Sequence, residues 1–146
     1  MRDQPTATHQ NATMLLKDQA RKFLESEESV KKAREVLEGE QTHDESLWKS
    51  VIEMGWTATT IPEEFDGLGL GYLELCVIAE ELGRSLAPTP FSSSVYLATE
   101  ALISLGSNEQ KQSYLPRLAT GEIIGTLAHT ESTSSPSVEN LTCELN

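Results

Sequence analysis

The stretch Tyr72-Leu73-Glu74-Leu75-Cys76-Val77-Ile78-Ala79-Glu80-Glu81-Leu82, followed by Gly83, decides how this chain folds. Leu75, Ile78, Ala79 and Leu82 recur at helical spacing, and Cys76 and Val77 widen the apolar face. A helix apolar on so much of its circumference packs at the centre of a bundle. Gly83 is expected to end it. Cys76, set inside the apolar run, reads as a reduced packing residue. Glu80 and Glu81 are adjacent, so on a helix they point in different directions and make no acid–base dyad. Both read as surface charge.

Working towards the N-terminus, Pro62 to Gly71 reads as a loop. Its Gly67-Leu68-Gly69-Leu70-Gly71 run precedes a helix, where backbone N–H groups can cradle phosphate. The glycine spacing is not that of a dinucleotide fingerprint, and Glu63, Glu64 and Asp66 would repel an anion. The run therefore reads as a structural turn. Trp56 to Ile61 is β-branched and precedes Pro62, so it reads as extended. Leu47, Trp48, Val51 and Met54 form the stripe of a third helix, with Thr42 as N-cap, Glu45 completing a capping box and Gly55 as a left-handed cap. Two earlier helices are expected, Thr13 to Glu25 and a polar, solvated one from Glu27 to Glu38.

Towards the C-terminus, Ala87-Pro88-Thr89-Pro90 makes a stiff link. A fifth helix follows from Phe91 to Leu105, with Val95, Ala98, Leu102 and Leu105 on one stripe. Ser107 and Gln110 form a capping box for a sixth, which carries Tyr114, Leu115 and Leu118, bends near Pro116 and stops at Gly121. Glu122 to Thr130, uncharged after its first residue, reads as a strand. A lone strand cannot satisfy its edges. The chain is thus expected to be all-α, a bundle of about six helices over 1–121. The first strand of an incomplete β-domain and a Ser/Thr-rich tail follow over 122–146.

The chain has 146 residues and a mass of 16.0 kDa, one domain's worth. A net charge of −12 and a pI near 4.6 repel polyanions, so neither nucleic acid nor an anionic membrane surface is expected as a partner. No apolar run reaches the ~20 residues that span a bilayer. The first residues resemble neither a signal peptide nor a transit peptide, so a cytoplasmic location is expected. Cys76 and Cys143 lie far apart and His9, His43 and His129 are isolated, so no metal site is expected. No nucleophile elbow or phosphate-binding loop is present, and no residue is assigned a catalytic role.

Several segments, in order and spacing, go further. Leu47-Trp48 to Gly55-Trp56, Ile61-Pro62-Glu63-Glu64-Phe65-Asp66-Gly67-Leu68-Gly69 and Ala79-Glu80-Glu81-Leu82-Gly83-Arg84 resemble the N-terminal domain of the acyl-CoA dehydrogenase family. So do Gly106-Ser107 with Gln110-Lys111, Tyr114-Leu115-Pro116-Arg117-Leu118, Gly121-Glu122 and Thr130-Glu131. The resemblance runs from about Met14 to Glu131. It implies an FAD-dependent oxidoreductase that removes an α-proton from an acyl-CoA thioester with a glutamate and passes the β-hydride to the flavin. That glutamate lies in a C-terminal domain beyond Asn146 in the family, so this chain is expected to be inactive alone.

By the same resemblance, Leu127, His129 and Thr130 run beside the flavin, while Ser94 and Ala98 lie along the acyl tail. An oligomer, homo or hetero, and an electron-transfer partner are also implied. The family's next segment supplies a glycine and a serine to the flavin phosphates. Here Ser132-Thr133-Ser134-Ser135-Pro136-Ser137 stands instead, and Pro136 brings no donor. Weak or no FAD binding is therefore expected of this chain. The alternative is a non-catalytic helical module that docks on a full-length dehydrogenase.

Overall fold

A computed structural model describes residues 7–128. Among them lie six α-helices: α1 Ala7–Ser26, α2 Ser29–Glu38, α3 Glu45–Glu53, α4 Tyr72–Arg84, α5 Glu100–Leu105 and α6 Asn108–Ala119. The all-α expectation holds, with local differences that have identifiable causes.

Helix α3 is capped by Asp44 rather than Thr42: the Asp44 carboxylate accepts the Leu47 N–H at 2.7 Å. A carboxylate one residue before the first turn out-competes a hydroxyl three residues away. Gly55 ends that helix at φ +74°, as expected. Trp56–Ala58 is then not extended but a turn of 3₁₀ helix, because Trp56 and Ala58 turn inward to the core and Thr57 is buried with its hydroxyl donating to the Ala119 carbonyl at 2.6 Å. Gly83 does not end α4, which runs one residue further to Arg84. Ser85 closes it by donating from its hydroxyl to the Glu81 carbonyl, and the chain reverses at Leu86 with φ +51°.

The glycine-rich loop folds back on the 3₁₀ turn. Leu68, Gly69 and Leu70 donate N–H to the carbonyls of Ala58, Ile61 and Thr59 at 2.9, 2.9 and 2.8 Å. Gly71 N–H goes to the Glu74 carboxylate at 3.0 Å. These donors are spent on structure, which confirms the loop as a turn and not a phosphate cradle. Gly67 permits the reversal: a Cβ there would sit 1.9 Å from the Ile61 carbonyl oxygen.

Two apolar clusters form the interior. The larger joins α1, α3 and α4 through Leu24, Leu47, Val51, Trp56, Ile78 and Val95, with the Phe23 ring edge-on to Trp56 at 5.3 Å. The smaller joins the 3₁₀ turn to α6 through Ala58, Ile61, Leu115 and Leu118. Leu105 and Cys76, both expected to pack, are exposed. Helix α4 buries Leu75, Ile78 and Leu82 with Glu81 among them, and Cys76 falls on its opposite side.

Glu81 is only 1% exposed, which corrects its reading as surface charge. The Arg21 guanidinium of α1 meets it in a forked pair, Nε to Oε2 at 3.0 Å and Nη2 to Oε1 at 2.7 Å. Lys17 and Glu80 add an outer pair at 2.6 Å. Glu80 stays at the surface, as expected.

No helix among the described residues is long and apolar enough to cross a membrane. Residues 122–128 form no strand, because no second strand among the described residues offers a ladder. The rest of the expected strand, His129 and Thr130, lies outside the described residues.

The Arg21 hydrogen bond holds the Glu81 carboxyl below its ordinary value, against the upward push of burial. A depressed native value means stability present at neutral pH and lost as the pH falls through roughly 4.3. We therefore expect thermal unfolding of the parent to drop in temperature below that pH. Glu81→Gln is expected to unfold earlier at pH 7 and to show a flatter acid limb; equal acid limbs would contradict the pairing. Gly67→Ala is expected to cost roughly 2–3 kcal/mol in urea unfolding, because the methyl meets backbone and not a side chain that can turn away.

Candidate functional site

Residues Ser92–Thr99 are wound as a π-helix that runs straight into α5. Such winding is rare and concentrates at functional sites. It lies beside α6 and the chain segment leaving Gly121, and these three elements enclose a groove of about 490 Å³. Ala98, Leu102, Leu105, Tyr114, Leu118 and Leu127 line it. No charged side chain does. Leu105 at 86%, Tyr114 at 44% and Leu127 at 43% exposure leave its mouth apolar and open.

Ser94 and Ala98 are both buried on the π-helix. The Ser94 hydroxyl accepts the Gly125 N–H at 3.3 Å. A Cβ on Gly125 would fall 2.5 Å from the Ala98 Cβ and 3.2 Å from Leu118. The structure thus brings the two residues expected on the acyl path together against one glycine of the exit segment. Leu127 stands two residues on, at the groove's rim. His129 and Thr130, the other residues expected beside the flavin, lie outside the described residues.

Sequence reasoning passed over Gly125. Its signal was available, since a lone glycine in an apolar run often marks a close backbone approach. Glu81 carried no such signal. A larger cleft of about 660 Å³ lies between α1, α2 and α4, but its Arg21, Glu81 and Arg84 are committed to one another. Among the described residues no cluster of three His, Cys, Asp or Glu side chains is placed to hold a metal.

Chemically, the groove has no group that moves a proton. Its surface suits an apolar chain excluded from water.

Comparison with known proteins agrees with this architecture. Residues 10–122 match the family model described as "Acyl-CoA dehydrogenase, N-terminal domain". The chain is 38% identical over 103 residues to a mitochondrial isovaleryl-CoA dehydrogenase of Solanum tuberosum, an alignment covering 69% of this chain and 25% of that protein. It superposes on the ChsE4-ChsE5 complex from Mycobacterium tuberculosis at a TM-score of 0.76 and 29% identity, covering 92% of this chain and 36% of that one. It also superposes on an acyl-CoA dehydrogenase complexed with FAD from Bacillus anthracis at a TM-score of 0.74 and 27% identity, covering 86% and 22%. The chain thus spans between about a fifth and a third of the length of these relatives.

The Gly125–Ala98 contact predicts a coupled pair of variants. Gly125→Ala is expected to destabilise the chain by roughly 1–3 kcal/mol through overpacking. Adding Ala98→Gly removes the opposing methyl and is expected to restore much of that loss. Chemical denaturation of the two singles and the double measures the coupling, and strict additivity would refute the contact.

Proposed function

The chain belongs to the acyl-CoA dehydrogenase family, whose N-terminal domain it carries, and from that premise we propose that the groove between the π-helix, α5 and α6 is one wall of an acyl-binding site. The observation that carries this reading is the uncharged groove with Ser94 and Ala98 at its closed side. Ser94 and Ala98 lie along the acyl tail, and the apolar surface excludes water from it. Leu127, at the rim, with His129 and Thr130 further along, borders the flavin.

FAD, when bound, supplies the redox step by accepting the substrate's β-hydride. The described residues do not fit the pyrophosphate of that cofactor. The groove carries no cation, and the N–H groups of Leu68, Gly69, Leu70 and Gly71 are already paired. This chain therefore contributes orientation and water exclusion, while the phosphate contacts and the proton-abstracting glutamate come from elsewhere in the assembled enzyme. Self- or hetero-association and transfer of electrons to a partner protein follow from the same reading.

A second reading, a helical subunit that docks on a full-length dehydrogenase, is favoured by the open apolar mouth at Leu105, Tyr114 and Leu127. A face of this kind calls for a covering partner.

Purified 1–146 is expected to hold no stoichiometric FAD and to show no acyl-CoA oxidation with an artificial acceptor. A yellow, active preparation would overturn the assignment of those groups to other parts. Within a dehydrogenase that carries this domain, Ala98→Leu is expected to raise KM for acyl-CoA roughly tenfold or more, the scale set by misfitting apolar groups in a pocket. An unchanged KM would remove the groove from the substrate path. Co-purification with a larger flavoprotein would favour the docking subunit.

A further inference from the structure

The π-helical stretch raises the question of what holds it. An eight-residue π-helix is an unusual winding, and one side chain is placed to fix it. The Thr99 hydroxyl donates to the Ser94 carbonyl at 2.8 Å, five residues back, with both residues 1% exposed. In α-helical winding a threonine hydroxyl reaches the carbonyl three or four residues back. A bond to the fifth is the mark of π winding. The winding ends at once afterwards: Glu100 N–H returns to the Leu97 carbonyl, three residues back.

The same Ser94 whose carbonyl is gripped by Thr99 turns its hydroxyl to the Gly125 N–H. Tightening the helix to α winding would rotate every residue after Ser94 by most of a turn's extra residue. Ala98 would then leave its place against Gly125. Thr99 touches neither the groove's open space nor the exit segment, so it acts only through Ser94.

We propose that Thr99 is a positioning residue: its hydroxyl locks the π register that lets Ser94 hold Gly125 and so sets where the groove closes. The proposal deepens the acyl-groove reading and takes its functional meaning from it. Its structural core is tested without any ligand, so the two fail separately.

Hydrogen–deuterium exchange at the Gly125 amide, followed by NMR in the 146-residue chain, is the readout. Ser94→Ala removes the acceptor, and Thr99→Val removes the lock while keeping the shape. Each is expected to speed Gly125 exchange roughly five- to tenfold, the worth of one hydrogen bond, with the amides of α1 and α4 unchanged. Thr99→Ser, which keeps the hydroxyl, is expected to retain protection close to the parent's. Gly125 protection that survives Thr99→Val overturns the proposal. So does a uniform acceleration across all helices, which would mark Thr99 as an ordinary core residue. Should Thr99→Val fail to fold, the comparison of Thr99→Ser with Ser94→Ala decides: loss of Gly125 protection in Thr99→Ser to the level of Ser94→Ala also overturns it.

Discussion

The forked contact between Arg21 and Glu81 is the constraint around which the helices are arranged. Helix α4 is apolar enough to be central, yet it carries a carboxylate on its buried side. A buried charge is costly unless paired and hydrogen-bonded. Arg21 supplies both at once, with two nitrogens on two oxygens. Such a pair adds little stability over an apolar replacement, but leaving it half-made is expensive. Any slide or rotation of α1 against α4 therefore meets a penalty that leucines alone would not impose. Lys17–Glu80, one turn earlier on α1, is screened by solvent and adds little.

With α1 and α4 in register, the remaining elements pack outward in order. The 3₁₀ turn at Trp56–Ala58 and the folded-back glycine loop form a short brace, tied to the end of α6 by the Thr57 hydroxyl. That tie fixes α6 relative to the core, and with it one side of the groove. The π-helix and α5 form another side, anchored by Glu100, whose carboxylate accepts from Thr60 and Tyr72 at 2.8 Å each. The exit segment after Gly121 closes the third. The groove thus results from three elements held by separate polar clamps, with only apolar surface between them. That division suits a site whose task is to hold a chain and exclude water, with the reactive groups supplied by neighbours.

Much of the helical layout was legible in the residues. Ser107 and Gln110 form the capping box they promise, Gly55 and Gly121 take the positive φ that ends a helix, and the stripe Leu47, Trp48, Val51 goes into the core. These signals are local: a cap satisfies N–H groups within one turn, and a stripe needs only the helical period. The order of motifs also carried the family, because each segment's spacing reflects a contact the fold requires. The elements misread were those whose partners lie far along the chain. Trp56 to Ile61 has the composition of a strand, but its buried Trp56 and the Thr57–Ala119 bond make it a tight turn.

The sequence by itself determined where helices begin, where most of them end and which family's architecture they build, since periodicity, caps and motif spacing are properties of neighbouring residues. Tertiary structure alone decided that Glu81 is buried and Cys76 exposed, that residues 92–99 wind as a π-helix, and that Gly125 lies against Ala98. The reason is common to all of them: each depends on a group from a distant helix or segment arriving within a few ångströms, and no local propensity encodes that arrival.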